Sequence, residues 1–175
     1  LLARANKSGA TVTVVIDDVA QLDALALGAS REAGVIPVVV DVDVSLRVAG
    51  AHLGVRRSPV RTAREVVELA RAVTKRGGLR FHGVMAYEAQ VAGLQDDSPF
   101  SSTNAVMSFI RRRSMRDVGR RRVAMVEALR AVGVDPEIVD GGGTGSVEVS
   151  TRATGMTEVA AGSGLYKSHL FDYYR

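Results

Sequence analysis

The sequence predicts an α/β fold in which strands alternate with helices around a parallel sheet. Three observations carry that prediction. Short β-branched runs such as "TVTVVID" and "VIPVVVDVDV" are largely apolar, as strands covered on both faces are. Stretches with apolar residues at helical spacing separate the runs. Two of the runs end in glycine clusters, the punctuation expected where a strand gives way to a ligand loop.

Taken in order, residues 11–17 form the first strand. Asp18 and Gln21 then resemble a capping box, and Leu22, Leu25, Ala26 and Ala29 follow on one helical face. The second strand is 35–44. Thr62 and Glu65 make a cleaner capping box ahead of the stripe Val66, Leu69, Ala70 and Val73, and Gly77-Gly78 stops that helix. "LRFHGVMAYE" (79–88) is the third strand. Residues 102–132 read as one long helix, or as two joined near Arg113–Ser114, with Met115, Val118, Met125, Leu129 and Val132 along its second half. "PEIVDGGG" (136–143) and "TEVAAGSG" (157–164) are the fourth and fifth strands. No linker or repeat interrupts them, so residues 1–175 are expected to be one domain.

Composition narrows the class. The chain has 175 residues, enough for a real core, and 46% of them are hydrophobic. It has no cysteine, which excludes disulfides, thiolate metal ligands and a thiol nucleophile, and leans towards the cytoplasm. No run is long and apolar enough for a membrane span, and "LLARANKSGA" lacks the pattern of a signal peptide. The net charge of +4 bears on solubility and not on fold. Seven arginines crowd 111–122, but the apolar stripe running through them makes them one solvated face of an amphipathic helix. Without interleaved aromatics they do not read as a nucleic-acid surface. Three scattered histidines have no metal-ligand spacing.

Five βα units fit an open doubly wound sheet or part of a closed barrel. The glycine loops favour the barrel. "GGGTGS" (141–146) is neither a Walker A sequence nor a dinucleotide fingerprint, but its N–H groups can converge on an anion. Gly162, Ser163 and Gly164 repeat that chemistry one strand later. Barrels build phosphate sites from two such consecutive loops. The predicted fold is therefore the later portion, about five βα units, of a TIM-like parallel (β/α)8 barrel.

The motifs "VVVDVDVSLRVAG", "FHGVMAYEAQ", "VDGGGTGS" and "TEVAAGSGLY…LFD" resemble, in order and spacing, the pyridoxal-phosphate barrel of alanine racemase, D-threonine aldolase and D-serine dehydratase. The likeness is nearest to the bacterial amino-acid deaminase/aldolase branch, and it runs from residue 11 to the chain's end. It implies that the strands are the fourth to eighth of eight, and that the cofactor is pyridoxal 5'-phosphate. It implies a phosphate cradle at Gly142, Gly143, Thr144, Gly145, Ser146, Gly162 and Ser163. The family ends its fifth strand with Asp-x-Gly-x-x-Arg. Here Asp43-Val44-Ser45-Leu46-Arg47 stands in that place, with Ser45 for the glycine. Arg47 is thus implied as a catalytic guanidinium, a good fork for a carboxylate. Tyr87 matches the family's aromatic beside the cofactor ring. Glu88 and Gln90 follow and could line the pocket.

The family's cofactor lysine ends its first strand. Lys7, Lys75 and Lys167 are the lysines here, and none ends a strand in that way. The expectation is a piece of a longer protein, with the lysine upstream and any divalent metal bound in a later domain. The resemblance implies a lyase or racemase acting on a small β-hydroxy D-amino acid such as D-threonine or D-serine, homodimeric when full length. A barrel that holds pyridoxal phosphate without turnover is the alternative.

Overall fold

A computed structural model describes residues 1–48, 50–99, 102–160, 162, 169, 172 and 173. The elements, in chain order, are α1 (Leu2–Lys7), β1 (Val14–Ile16), α2 (Ala20–Glu32), β2 (Ile36–Asp41), β3 (Leu46–Val48), β4 (Ala51–Leu53), α3 (Ala63–Thr74), β5 (Leu79–Met85), α4 (Ala89–Ala92), α5 (Asn104–Ala131), β6 (Ile138–Gly141), a single 3₁₀ turn (Thr144–Ser146), α6 (Val147–Thr151) and β7 (Glu158–Val159). Each of the five strands expected from the sequence is present.

Those five strands form one sheet in the order β1-β2-β5-β6-β7, and every pairing is parallel. The order decides between the two architectures that the pattern allowed. A doubly wound sheet turns back at a switch point and carries helices on both faces. Here each strand of the sheet lies beside the next one in the chain, and right-handed crossovers then keep the long helices α2, α3 and α5 on one side, where they share one buried cluster. That is the winding of a TIM-like (β/α)8 barrel, seen here as five consecutive strands.

Register shows how the sheet divides its faces. One row joins Ile16, Val40, Val84 and Val139 across β1, β2, β5 and β6. These side chains are all but fully buried with Leu22, Val66, Val73, Val118, Met125 and Leu129 from α2, α3 and α5. At about 1.5–3 kcal/mol for each large aliphatic side chain withdrawn from water, this layer is the main stabilising element of the fold. The next row, on the opposite face, joins Asp41, Met85, Asp140 and Glu158. Successive residues of a strand point to opposite faces, so a purely apolar row on the helix side sets an acidic row on the inner side.

The helix signals act as read, with some differences. Thr62 and Glu65 make the full reciprocal capping box. At the start of α2 the Gln21 amide oxygen accepts from the Asp17 and Asp18 N–H groups, while Asp18 Oδ1 accepts from Ala20 N–H at 2.7 Å. The region 102–132 holds one unbroken helix, α5, with no joint at Arg113–Ser114. Its buried residues are Arg111, Ser114, Val118, Arg122, Met125 and Leu129, a helical stripe that includes two arginines. The arginine-rich segment is therefore not a single solvated face: Arg111 and Arg122 turn inward, and half-buried Arg121 donates to the carbonyls of Asp43 at 2.6 Å and Arg61 at 2.8 Å. Val132 is exposed. The β3–β4 hairpin, antiparallel and separate from the main sheet, had no counterpart in the reading of the sequence.

Candidate functional site

The candidate site lies at the C-terminal ends of the sheet strands. The segment after β4 folds back over the end of β2. Asp43 N–H donates to the Val60 carbonyl at 2.8 Å, and the Ser58 hydroxyl donates to the Asp41 carbonyl at 2.8 Å. This brings Arg57 onto the inner face, where its Nη2 lies 3.1 Å from Asp41 Oδ2. The same guanidinium sits 5.3 Å from the centre of the Tyr87 ring, within cation–π range. Tyr87 is half-buried just beyond β5. Arg47 occupies a different place: it is exposed on β3, paired in register with His52 of β4. The hairpin separates Arg47 from the sheet end, and Arg57, ten residues on, is the guanidinium that meets Tyr87.

Asp43, which opens the segment compared above with the family's strand-five motif, is nearly fully buried. Its Oδ1 accepts the Ser45 N–H at 2.8 Å and its Oδ2 pairs with Arg61. Burial alone would raise its affinity for a proton, but the Ser45 hydroxyl and amide and the Arg61 guanidinium outweigh burial and hold the carboxyl below its ordinary range. This is a cross-brace between the end of β2 and the start of α3. Asp140 behaves oppositely. Burial foremost, with Glu158 and Glu88 adding like charge, pushes it up to about 6 against the opposing Gly141 amide and Arg122. Its Oδ1 has no hydrogen-bond partner among the described residues.

The glycine loop follows β6 directly. Gly141 lacks a Cβ because the Arg122 guanidinium and the Ala86 carbonyl occupy that space. Gly142 has φ +83, and a Cβ there would lie 2.6 Å from Val159 Cγ1 on β7. Only glycine meets both demands at low cost. Gly143 N–H donates to Ser146 Oγ at 3.0 Å, and Ser146 N–H to the Gly143 carbonyl at 2.9 Å, closing the 3₁₀ turn. Ser146 is buried, whereas Thr144 and Gly145 are partly exposed at the rim. Ala160 N–H donates to the Gly141 carbonyl at 2.9 Å, so the end of β7 runs beside the start of the loop. Gly162 is exposed; Ser163 and Gly164 lie outside the described residues.

Beneath the loop, and not lining a pocket as the sequence reading had it, is Glu88. It is fully buried. Its Oε2 accepts from Arg122 Nη2 and from Gly142 N–H at 3.0 Å. Its Oε1 accepts from the Ser150 hydroxyl and lies 3.1 Å from Ser146 Oγ. Arg122 Nη2 also donates to the Ala86 carbonyl at 2.6 Å. The available signal was the pairing of an acid at a strand end with an arginine on the apolar stripe of α5. Charge periodicity alone could not single out that arginine among seven. Gln90, also buried, donates to the Val44 carbonyl at 2.9 Å and so ties the two strand ends together.

Comparison with known proteins places the chain. Residues 2–169 match the family described as alanine racemase, N-terminal domain, and the chain belongs to that family. It is 32% identical over 163 residues to 3-hydroxy-D-aspartate aldolase of Paracoccus denitrificans (strain Pd 1222), covering 93% of this chain and 37% of that protein. D-Threonine aldolase from Filomicrobium marinum has the same fold, with a TM-score of 0.78 at 23% identity, over 95% of this chain and 40% of that one. D-threo-3-hydroxyaspartate dehydratase from Delftia sp. HT23 gives 0.67 at 22% identity, over 94% and 38%. The chain thus spans well under half the length of these relatives. Among the described residues no cluster of three or more His, Asp or Glu could hold a metal ion, and no helix is long and apolar enough to cross a membrane.

Proposed function

We propose that this chain forms the phosphate end and one wall of a pyridoxal-phosphate site in an enzyme that cleaves the Cα–Cβ bond of small β-hydroxy D-amino acids. The observation that carries the reading is the 141–146 loop. Its glycines are required by close contacts and by a positive φ, and it stands at the C-terminal edge of a parallel sheet, the edge where Arg57 of the segment after β4 meets Tyr87 just beyond β5. Paired loops on a barrel's last strands are a recurrent phosphate site, and in this reading the five strands are the fourth to eighth of eight. The curated relative, named for aldol cleavage of 3-hydroxy-D-aspartate, supports the substrate class.

The residues fit the cofactor. The rim segment Thr144–Gly145, with the bend at Gly162, would receive the phosphate, with no Cβ on Gly142 or Gly143 to bar its approach. The Tyr87 ring, stiffened by Arg57, would lie against the pyridine ring. Arg57 would also meet a substrate carboxylate, a role that the family resemblance implied for Arg47. Pyridoxal phosphate, when bound, supplies an electron sink for the pair left on Cα as the bond to Cβ breaks. The chain's part is to orient ring and substrate and to keep the acidic inner row, Asp41 and Asp140, close at hand for proton transfer. The covalent lysine is to be sought in the remainder of the longer protein.

The test uses the full-length protein. Titration with pyridoxal phosphate should give an absorbance band of a lysine-bound cofactor. D-Threonine should then yield glycine and acetaldehyde, and D-3-hydroxyaspartate glycine and glyoxylate, in equal amounts. Cofactor binding without turnover of any β-hydroxy D-amino acid would replace this reading with that of a cofactor-holding barrel. Absence of the band would remove both.

A further inference from the structure

A carboxylate buried beneath an anion-binding loop is unexpected, because it brings negative charge towards the place where a phosphate dianion is to sit. Glu88 is such a group, and its partners explain it. They come from three segments: Arg122 of α5, the Gly142 amide and Ser146 hydroxyl of the loop, and the Ser150 hydroxyl of α6. Both oxygens are held, and the side chain is wholly withdrawn from solvent.

Two physical consequences follow. First, the loop's inward donors are spent on Glu88. Gly142 N–H reaches it directly, and Gly143 N–H reaches it through Ser146 Oγ. With the inner side of the loop pinned, Thr144 and Gly145 become the rim. Second, Arg122 occupies the space where Gly141 would carry a Cβ, and it is only 2% exposed. A lone guanidinium there would be an uncompensated buried charge and would attract a phosphate inward. Glu88 cancels that charge. Arg122 keeps two buried donors, Nε and Nη1, without partners among the described residues. This arrangement costs stability and is difficult to justify by packing alone.

We infer that Glu88 is a positioning residue that presents the 142–146 loop to a phosphate monoester, acting through Gly142, Ser146 and the neutralised Arg122 without touching the ligand. The inference rests on the loop being the phosphate cradle of the proposed site. Phosphate affinity in this chain is thereby set from behind the loop, by residues on α5 and α6.

The test compares full-length wild type with Glu88→Gln and Glu88→Asp by pyridoxal-phosphate titration, phosphorus NMR of the bound cofactor, and turnover at saturating cofactor. Losing a charged, doubly anchored acceptor should weaken cofactor binding about tenfold or more in Glu88→Gln. It should also shift the phosphorus resonance, and should leave kcat at saturation within about twofold. Glu88→Asp should recover part of the affinity. Ser150→Ala removes one Glu88 partner outside the loop and should weaken binding about threefold. It decides the matter if Glu88→Gln does not fold. If wild type binds the cofactor, and Glu88→Gln, or failing that Ser150→Ala, binds it equally well with an unmoved phosphorus resonance, the inference is overturned. If wild type shows no binding, the proposed site itself has failed.

Discussion

The Arg57 guanidinium stacks 5.3 Å from the Tyr87 ring centre and pairs with Asp41 at 3.1 Å, linking the ends of β2 and β5. The two residues lie 30 positions apart and meet only because the segment after the β3–β4 hairpin doubles back over the sheet edge. Arg57→Ala should lower kcat/KM at least about tenfold, equivalent to ~1.4 kcal/mol of transition-state stabilisation. Its stability cost should stay near 1 kcal/mol, since the pair is partly exposed. Arg47→Ala, on the exposed hairpin strand, should leave kcat/KM within about twofold. Steady-state kinetics on both variants distinguishes the two guanidinium assignments.

Gly142→Ala places a methyl at φ +83 and within 2.6 Å of Val159 Cγ1. The strain should cost roughly 2 kcal/mol or more and should expel the cofactor. Denaturant unfolding and absorbance titration measure the two effects. Thr144→Ala, at the partly exposed rim, should weaken cofactor retention about threefold to tenfold with little change in stability.

Asp140 sets a pH dependence. Its carboxyl is raised from 3.8 to about 6, chiefly by burial, so folding favours its protonated form. The stabilisation it contributes is complete below about pH 3.8, falls as pH rises towards 6, and is absent above. Asp140→Asn should therefore stabilise the protein above pH 6, by on the order of 2–3 kcal/mol, and should be neutral near pH 4. Denaturant unfolding of wild type and variant at pH 4, 5.5 and 7.5 gives the curve. A proton held near neutrality on the inner face suits a group that exchanges protons with a substrate, and the same variant should flatten the acid limb of the kcat/KM profile.

Leu129 is fully buried between α5 and the sheet. Leu129→Ala should cost about 2–5 kcal/mol, while Thr62→Ala, which opens the capping box of α3, should cost about 1 kcal/mol. Both should leave the cofactor affinity of the folded protein unchanged.

The alternation of strands and helices was legible in the sequence, and the two glycine loops pointed to the barrel. Val38 and Val40 belong to the continuous apolar run 35–40, and the capping box at Thr62–Glu65 marks a helix start with little ambiguity. The hairpin at 46–53 was not, since three-residue strands carry too few alternations to register. The site was legible where it is made of backbone and illegible where it depends on long side chains. The glycine loop announces itself by composition. The inward turn of Arg111 and Arg122 does not, because an arginine on an apolar helical stripe can equally lay its stem along the surface and keep its charge in water. Glu88 and Arg57 owe their roles to contacts across 34 and 30 residues, which no local pattern records.

The central claim is that the 141–146 loop receives the phosphate of pyridoxal phosphate. A crystal structure of the full-length protein with that cofactor bound tests it most directly. The account predicts the phosphate within hydrogen-bonding distance of the Thr144–Gly145 backbone, with Tyr87 against the pyridine ring and Glu88 still clasping Gly142 from beneath. A cofactor bound with its phosphate elsewhere, or a loop whose amides remain turned wholly towards Glu88 and Ser146 while the phosphate contacts other residues, would contradict it.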